Sequence, residues 1–473
     1  MIKIKSKSKS MIKSMSMING SRSRANTDNG YPASMRPLLM LGVLFLATAP
    51  AQAADAWPQF RGPGGQGHAA SARAPLAWSE TDGVAWQVPI PGRGWSSPVV
   101  LGKEVWMTTA VTRAGTDLER KAVKVDPAAT DQPLSIVSSV SLRAICVDRG
   151  TGKIRHDIEL LHVDRPEPVH AVNSYASPTP VVELGRIYCH FGAFGTVCLD
   201  TVSGSRILWK ARFPLKHFVG PGSSPVLVDD LLVLTCDGVD RQYIVAVDKR
   251  TGEVVWRKDR PPIRAQNPNL RKSFCTPLAI RTAAGRQIVI PGAQWVVAYE
   301  PRTGEEIWRF DHGSGFSIVP RPVFDGVRIY FCTGFMQPRL LAIRPDGTGD
   351  LAQTDVVWEE RKQIPKVPSP VLVENRLYVV SDSGIAHALD TATGAVVWRH
   401  RIPGNYAASL LYAAGRIFAF DRDGVTTVFA HGDAYQELAR NRLAGRIMAT
   451  PAIVDGVMFL RTDTHLYRIE PAP

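Results

Sequence analysis

The chain has 473 residues, 45% of them hydrophobic and 21% charged, with a formal net charge of +13. That length and balance support a large buried core and exclude a disordered chain, while leaving open one large domain or several small ones. Residues 1–53 hold 8 Lys and Arg against 1 acidic residue, so the remainder carries 48 basic against 42 acidic groups, or +6; with Lys and Arg scattered along the chain, nothing points to a nucleic-acid partner.

Residues 1–34 are basic, rich in Ser and Met, and without a period that could build a core. From Met35 the sequence MRPLLMLGVLFLATAPAQA has an Arg, an apolar run and the small-residue end Ala51-Gln52-Ala53. This pattern predicts a secretory signal over 35–53, within a leader of 1–53, and hence a periplasmic or extracellular protein. The alternative, an uncleaved anchor, meets an apolar run shorter than the ~20 residues that span a bilayer. No later segment is apolar for long enough to cross a membrane. An arm over 54–83, containing WPQFRGPGGQG at 57–67, precedes the main domain at 84–473.

Two signals then alternate through the chain. The first is a Ser/Thr-Pro step leading into a short apolar strand, a small turn and a second apolar strand, as in WSSPVVLGKEVWMTT from Trp95 and PSPVLVENRLYVVSD from Pro368; it occurs in eight copies, some degenerate. The second is Ala246-x-Asp248-x-x-Thr251-Gly252-x-x-x-Trp256, which recurs at Ala388–Trp398 with Asp390, Gly394 and Trp398, and at Ala298–Trp308 with Glu300, Gly304 and Trp308. Weaker copies carry Asp148 and Asp200, the fifth has an enlarged turn, and the seventh lacks the Trp. Each unit therefore reads as two β-hairpins, and eight such units predict an all-β fold: an eight-bladed β-propeller of four-stranded antiparallel blades. The first unit is lengthened by an insertion, TRAGTDLERKAVKVDPAATDQPLSIVSS, between its hairpins. The eighth copy ends at LYRIEPAP without its last strand, and GVAWQVPIPG at 83–92 resembles the missing piece, with Trp86 in the place of Trp256. The N-terminal strand is thus expected to complete the last blade and close the ring, leaving no open sheet edge.

The Ala-x-Asp-x-x-Thr-Gly-x-x-x-Trp turn resembles the pyrroloquinoline-quinone-type propeller repeat, over nearly all of residues 84–470. That resemblance implies an eight-bladed fold with one of two uses. One is the quinoprotein dehydrogenase, which holds the quinone and a calcium ion in its central funnel; the other is a cofactor-free scaffold such as the propeller of the outer-membrane protein assembly machinery. Read physically, the repeat residues are structural: Asp accepts turn N–H groups, Gly takes the positive φ of a tight hairpin, Thr adds a hydroxyl bond, and Trp packs where blades meet.

Strand order puts those turns on one face of the disc and the segments that enter each innermost strand on the other. GRGWSSP, AVNSYASP, KHFVGPGSSP, LRKSFCTP, KVPSP, GNYAASL and AGRIMATP offer Arg93, Trp95, Asn173, Tyr175, His217, Lys272, Phe274, Lys366, Asn405, Tyr406 and Arg446 as candidate ligand-binding residues at the channel mouth. Cations, amides and aromatics together suit an anionic or polar partner or a peptide. Carboxylates for a calcium site are scarce there, and the vicinal cysteines of many quinoprotein dehydrogenases are missing, as is a Cys-x-x-Cys-His haem motif. DGVDRQ and PDGTGD lack the spacing of a calcium-binding hand, and no His pair has the spacing of a zinc hydrolase. The expectation is a monomeric, exported propeller, without catalytic residues, metal or cofactor, that binds a protein or cell-envelope ligand. The alternatives are a quinone- and calcium-dependent dehydrogenase and a carbohydrate-binding or sugar-acting propeller. Six cysteines, Cys146, Cys189, Cys198, Cys236, Cys275 and Cys332, are expected as buried free thiols, although Cys189 and Cys198 flank a hairpin turn and could pair.

Overall fold

The structure is a computed structural model that describes residues 56–118, 133–203 and 206–472; the leader and signal of 1–53 lie outside them, as does the 119–132 stretch of the first unit's insertion. Among the described residues, eight blade sheets, each built on antiparallel hairpin strands, follow one another along the chain, beside a small two-stranded sheet of Leu134–Ser135 and Val169–His170. Their innermost strands are Val99–Leu101, Val181–Glu183, Val226–Val228, Leu278–Thr282, Val323–Phe324, Val371–Val373, Leu411–Ala413 and Ala452–Val454, each opening the unit that the Ser/Thr-Pro step announces. The outermost strand of blade 8 is Val84–Pro89, paired antiparallel with His465–Ile469, and the inner strands of blades 8 and 1 touch. The ring is closed by the N-terminal strand.

The apolar core lies between blades, not inside any one of them. One cluster joins Val226, Ile244 and Trp256 of blade 3 to Ile288, Val297 and Tyr299 of blade 4, and similar layers fill the other junctions. The repeat motif is the clasp of these junctions. The Trp of one blade lies flat on the turn Gly of the next: a Cβ on Gly252, Gly304 or Gly394 would come within 2.5–2.6 Å of the indole of Trp209, Trp256 or Trp358. The indole N–H then donates to a carbonyl of the same turn, Trp209 to Lys249 at 3.0 Å, Trp256 to Pro301 at 2.9 Å and Trp358 to Thr391 at 2.8 Å. Trp86 makes this contact from blade 8 to Gly152 of blade 1, with its N–H on Arg149 at 3.2 Å. The motif's Ala stands opposite the Trp in register, Ala246 with Trp256 and Ala388 with Trp398, and the strand bulges just beyond. Asp148, Asp200, Asp248, Glu300 and Asp390 each accept two backbone N–H groups of their own turns.

Where the motif departs, the packing compensates. The enlarged fifth turn sends Gly349–Asp350 to pair in parallel with the outer strand of blade 4, and Trp308 donates to Gln287 Oε1 at 2.8 Å in place of a turn carbonyl.

A second belt runs around the channel wall. At five of the junctions the hydroxyl at the Ser/Thr position before the inner strand accepts the backbone N–H of the equivalent residue in the preceding blade: Ser97 to Thr179 at 2.9 Å, Thr179 to Ser224 at 3.0 Å, Ser224 to Thr276 at 3.0 Å, Ser369 to Ser409 at 3.1 Å and Ser409 to Thr450 at 2.9 Å. In blade 5 an arginine, Arg321, stands at this place; its N–H continues the belt to Ser369 at 2.9 Å.

The arm is part of the ring's architecture. Ala56–Trp57 pairs antiparallel with Val100 and Leu101 of blade 1, and the Pro58 carbonyl accepts from Val182 of blade 2 at 2.9 Å. The chain then crosses to the far blades: Arg321 donates to the Phe60 carbonyl at 2.7 Å, Arg61 to Pro370, and Gln66 to Phe324 at 3.3 Å, while Gly67 and Ala69 bracket Tyr412 of blade 7. Because its strand pairs with the turn-side end of Val99–Leu101 and its later residues reach the inner strands across the ring, the arm plugs the channel on the face that carries the Asp-Thr-Gly turns.

The cysteines are free and buried. Cys189 faces Val197 and Cys198 faces Tyr188 in the hairpin register, so the two thiols point to opposite sides of the sheet. One sits in the core between blades 1 and 2 and the other in the core between blades 2 and 3. The suggested Cys189–Cys198 pairing is therefore excluded by register.

Candidate functional site

With one end plugged, the channel becomes a blind funnel of about 650 Å3 that opens on the face away from the repeat turns. Phe60 of the arm lies at its floor and the Ser/Thr belt forms its wall. The entry segments supply its upper lining, joined by the loops between the second and third strands, which share that face.

Of the residues expected at the mouth, Trp95, Asn173, Lys272, Phe274 and Lys366 line the funnel. Arg93 stacks on Trp95 with its guanidinium 4.9 Å from the ring and donates to the Ala171 carbonyl at 2.7 Å, while the Trp95 indole donates to Val172 at 3.0 Å. That pair pins the entry of blade 1 to the entry of blade 2. Asn173 carries the pinning one blade further, donating to Val219 at 2.9 Å and Pro221 at 3.2 Å while its Oδ1 accepts from Ser174 and Ser177. Asn405 and Arg446 are exposed, outside the funnel lining.

Tyr175, His217 and Tyr406 are buried away from the funnel. Tyr175 packs on Phe194 in the core between blades 1 and 2; Tyr406 lies between blades 6 and 7 with its hydroxyl on the Pro403 carbonyl at 2.8 Å. His217 accepts the backbone N–H of Ala193 on Nε2 at 2.9 Å, and burial holds its pKa down at about 4. All three support the entry segments from behind.

Lys272 differs from every other cation of the mouth. It is 5% exposed, its Nζ donates to the Asn269 carbonyl at 2.7 Å, and the rings of Phe218 and Phe316 lie 5.1 and 5.5 Å from it. Burial alone lowers its pKa, to about 8, and no carboxylate offsets that loss of hydration. Lys366 sits 5.8 Å from the Phe335 ring, and Phe335 in turn lies 6.4 Å from Phe316. The wall through blades 3 to 6 thus alternates ring and ammonium.

Sequence reasoning did not name Phe218, Phe316, Phe335, Asp382 or Arg422, all of which line the funnel. Phe316 belongs to blade 5, whose entry ends in Arg-Pro where its counterparts have Ser/Thr-Pro. Phe335, Asp382 and Arg422 come from second-to-third-strand loops; the strand count that puts these loops on the mouth face was the available signal.

Asp382 is the single carboxylate of the lining among the described residues, and its Oδ2 accepts the Lys366 backbone N–H at 2.7 Å. Among the described residues, no group of three or more His, Cys, Asp or Glu could hold a metal ion. A funnel calcium would need several oxygen ligands with carboxylates among them, so the donor set does not fit the quinone–calcium pair.

The model of the family described as outer membrane protein assembly factor BamB matches residues 63–258 and 292–437. The chain belongs to this family. No curated protein sequence matches it. Among solved structures, BamB from Moraxella catarrhalis is similar with a TM-score of 0.52 and 13% identity, over 82% of this chain and 97% of that one. A europium-containing methanol dehydrogenase aligns with a TM-score of 0.57 and 12% identity, over 86% and 89% of the two chains. The quinohemoprotein alcohol dehydrogenase from Comamonas testosteroni gives 0.56 and 12%, over 89% and 81%. At such identities the property shared with these structures is the fold. No helix among the described residues is long and apolar enough to cross a membrane.

Proposed function

We propose that this chain is an exported, cofactor-free propeller of the cell envelope that binds a protein or envelope ligand at its mouth, as a monomer and without catalysing a reaction. The observation that carries this reading is the asymmetry of the two faces. On one, the arm uses its polar groups on the inner strands and each repeat turn uses its own within itself. On the other, aromatic and cationic side chains from many blades converge on an open funnel. A concavity lined by rings with a few placed polar groups is the usual form of a binding site. Membership of the assembly-factor family and the signal-like segment at 35–53 support export and an envelope partner.

The test is capture from envelope extracts with a photo-crosslinker placed at Met336 or, on the opposite face, at Arg250. A partner crosslinked from the mouth and not from the turn face supports the proposal; equal or no labelling overturns it. The dehydrogenase reading is tested alongside by adding pyrroloquinoline quinone and calcium, where a bound chromophore with alcohol-dependent dye reduction would replace the scaffold by an enzyme.

A further inference from the structure

We propose that the blind funnel is a receptor site for a small organic anion with a planar apolar body, its charge anchored on Lys272. This rests on the mouth being the binding face and adds the chemistry of what enters it. Because the arm closes the far end, a chain cannot thread the channel, and a volume of about 650 Å3 is that of a small-molecule site.

The anchor is the buried ammonium. Lys272 is 5% exposed and spends one N–H on the Asn269 carbonyl at 2.7 Å, which leaves donors free for an acceptor entering from the funnel. Burying an ammonium costs several kcal/mol unless a counter-charge and hydrogen bonds repay it, and the two ring faces at 5.1 and 5.5 Å supply only part of that. Among the described residues no carboxylate pairs with Lys272 to supply the rest, and an entering anion would complete the arrangement. A second cation, Arg422, lines the same funnel with its buried Nε lacking any hydrogen-bond partner.

The apolar body is specified by Phe316 and Phe335. Their centroids lie 6.4 Å apart, and together they bridge from Lys272 to Lys366. A ligand whose carboxylate reaches Lys272 would therefore lay a ring along this pair, in offset or edge-on stacking. A metal ion or a cationic ligand finds the opposite field, since Asp382 is the only carboxylate of the lining among the described residues.

The experiment is calorimetric titration of the full-length mature protein with 2-naphthoate and with its neutral counterpart 2-naphthalenemethanol. Saturable one-to-one binding of the naphthoate, at least tenfold tighter than the alcohol, is expected. Lys272→Met should abolish that preference, and Lys272→Arg should retain part of it, while Lys362→Met on the surface leaves it unchanged. Equal affinity for the two probes, or an unaltered preference in Lys272→Met, overturns the proposal. The comparison of probes on the unmodified protein stands even if a variant fails to fold. Failure here with mouth crosslinking intact removes this inference alone, whereas loss of mouth crosslinking removes the broader reading.

Discussion

The guanidinium of Arg321 donates to the carbonyl oxygen of Phe60 at 2.7 Å, joining the arm to a blade 261 residues away. Arg321 also donates from Nε to the Pro277 carbonyl at 3.0 Å, and a Cβ on Gly65 would fall within 1.8 Å of its Nη1. One fully buried side chain thus ties blade 4, blade 5 and the plug together. Arg321→Met keeps the volume of the stem and removes these donors, leaving the Phe60 carbonyl with no partner. Hydrogen–deuterium exchange should then show faster exchange across 56–69 with the blade strands unchanged. Uniform protection in both proteins would mean the plug is held by its strand pairing alone.

The Ser/Thr belt predicts a specific loss of stability. Thr179 Oγ1 is the acceptor for Ser97 N–H at 2.9 Å in a site with neither residue exposed to solvent. Thr179→Val preserves shape and leaves that N–H unsatisfied, which costs about 1–3 kcal/mol. In a chain of this size the readout is a fall in the first thermal transition. Restoration by Thr179→Ser, which returns an acceptor, separates the hydrogen bond from the loss of packing; no recovery with Ser would assign the effect to the methyl group.

The Trp–Gly clasp is testable with a matched control. Gly304 has φ +67° and a Cβ there would lie 2.5 Å from Trp256, whereas Gly415 has φ +73° and open space around the same position. Gly415→Ala should cost only the left-handed strain, about 1–2 kcal/mol. Gly304→Ala pays that strain and also lifts an indole off its seat, so its destabilisation in chemical denaturation should be at least twice as large. Equal losses would show that the clasp contributes nothing beyond backbone conformation.

The clasp and the belt were legible because each is written into the repeat with its own residue types: Trp and Gly at fixed spacing, Ser or Thr before Pro. The ring closure was legible for the same reason, since Trp86 occupies the motif's place at the wrong end of the chain. The funnel's chemistry was less so. Phe218, Lys272 and Phe316 come from three blades, and nothing in their local sequence says that two rings flank one ammonium. Blade 5 hid its contribution because Arg321 replaces the belt hydroxyl, and that replacement is what lets it reach the arm. Tyr175, His217 and Tyr406 lie in entry segments that turn sharply before the strand begins, so strand alternation did not indicate which way their side chains face. The arm's contacts, spread over donors and acceptors of five blades, have no sequence signature at all.

Acid should destabilise this protein through its buried histidines before its carboxylates matter. His217 accepts Ala193 N–H on Nε2 at 2.9 Å and His387 accepts from Arg399 Nε at 3.1 Å, so a proton on either Nε2 would set donor against donor. Desolvation is the largest cause holding both pKa values at about 4, well below the ordinary 6.5, with the Arg399 charge adding to it at His387. Below the unfolded pKa of about 6.5 the unfolded chain therefore takes protons that the folded chain refuses. Stability is flat above that value, falls between about pH 6.5 and 4 by up to about 1.4 kcal/mol per unit for each histidine, and levels once the folded groups titrate. The turn carboxylates Asp148 and Asp248, held at about 2 chiefly by a backbone N–H bond from Thr151 and a side-chain bond from Arg250 respectively, contribute stability above their unfolded pKa that is lost only as pH drops through that lower range. Urea denaturation from pH 8 to about 3 should show the decline, and His387→Gln should reduce its slope between about pH 6.5 and 4 while leaving the slope below about pH 4 unchanged. A slope unaffected by the substitution would place the acid sensitivity elsewhere in the ring.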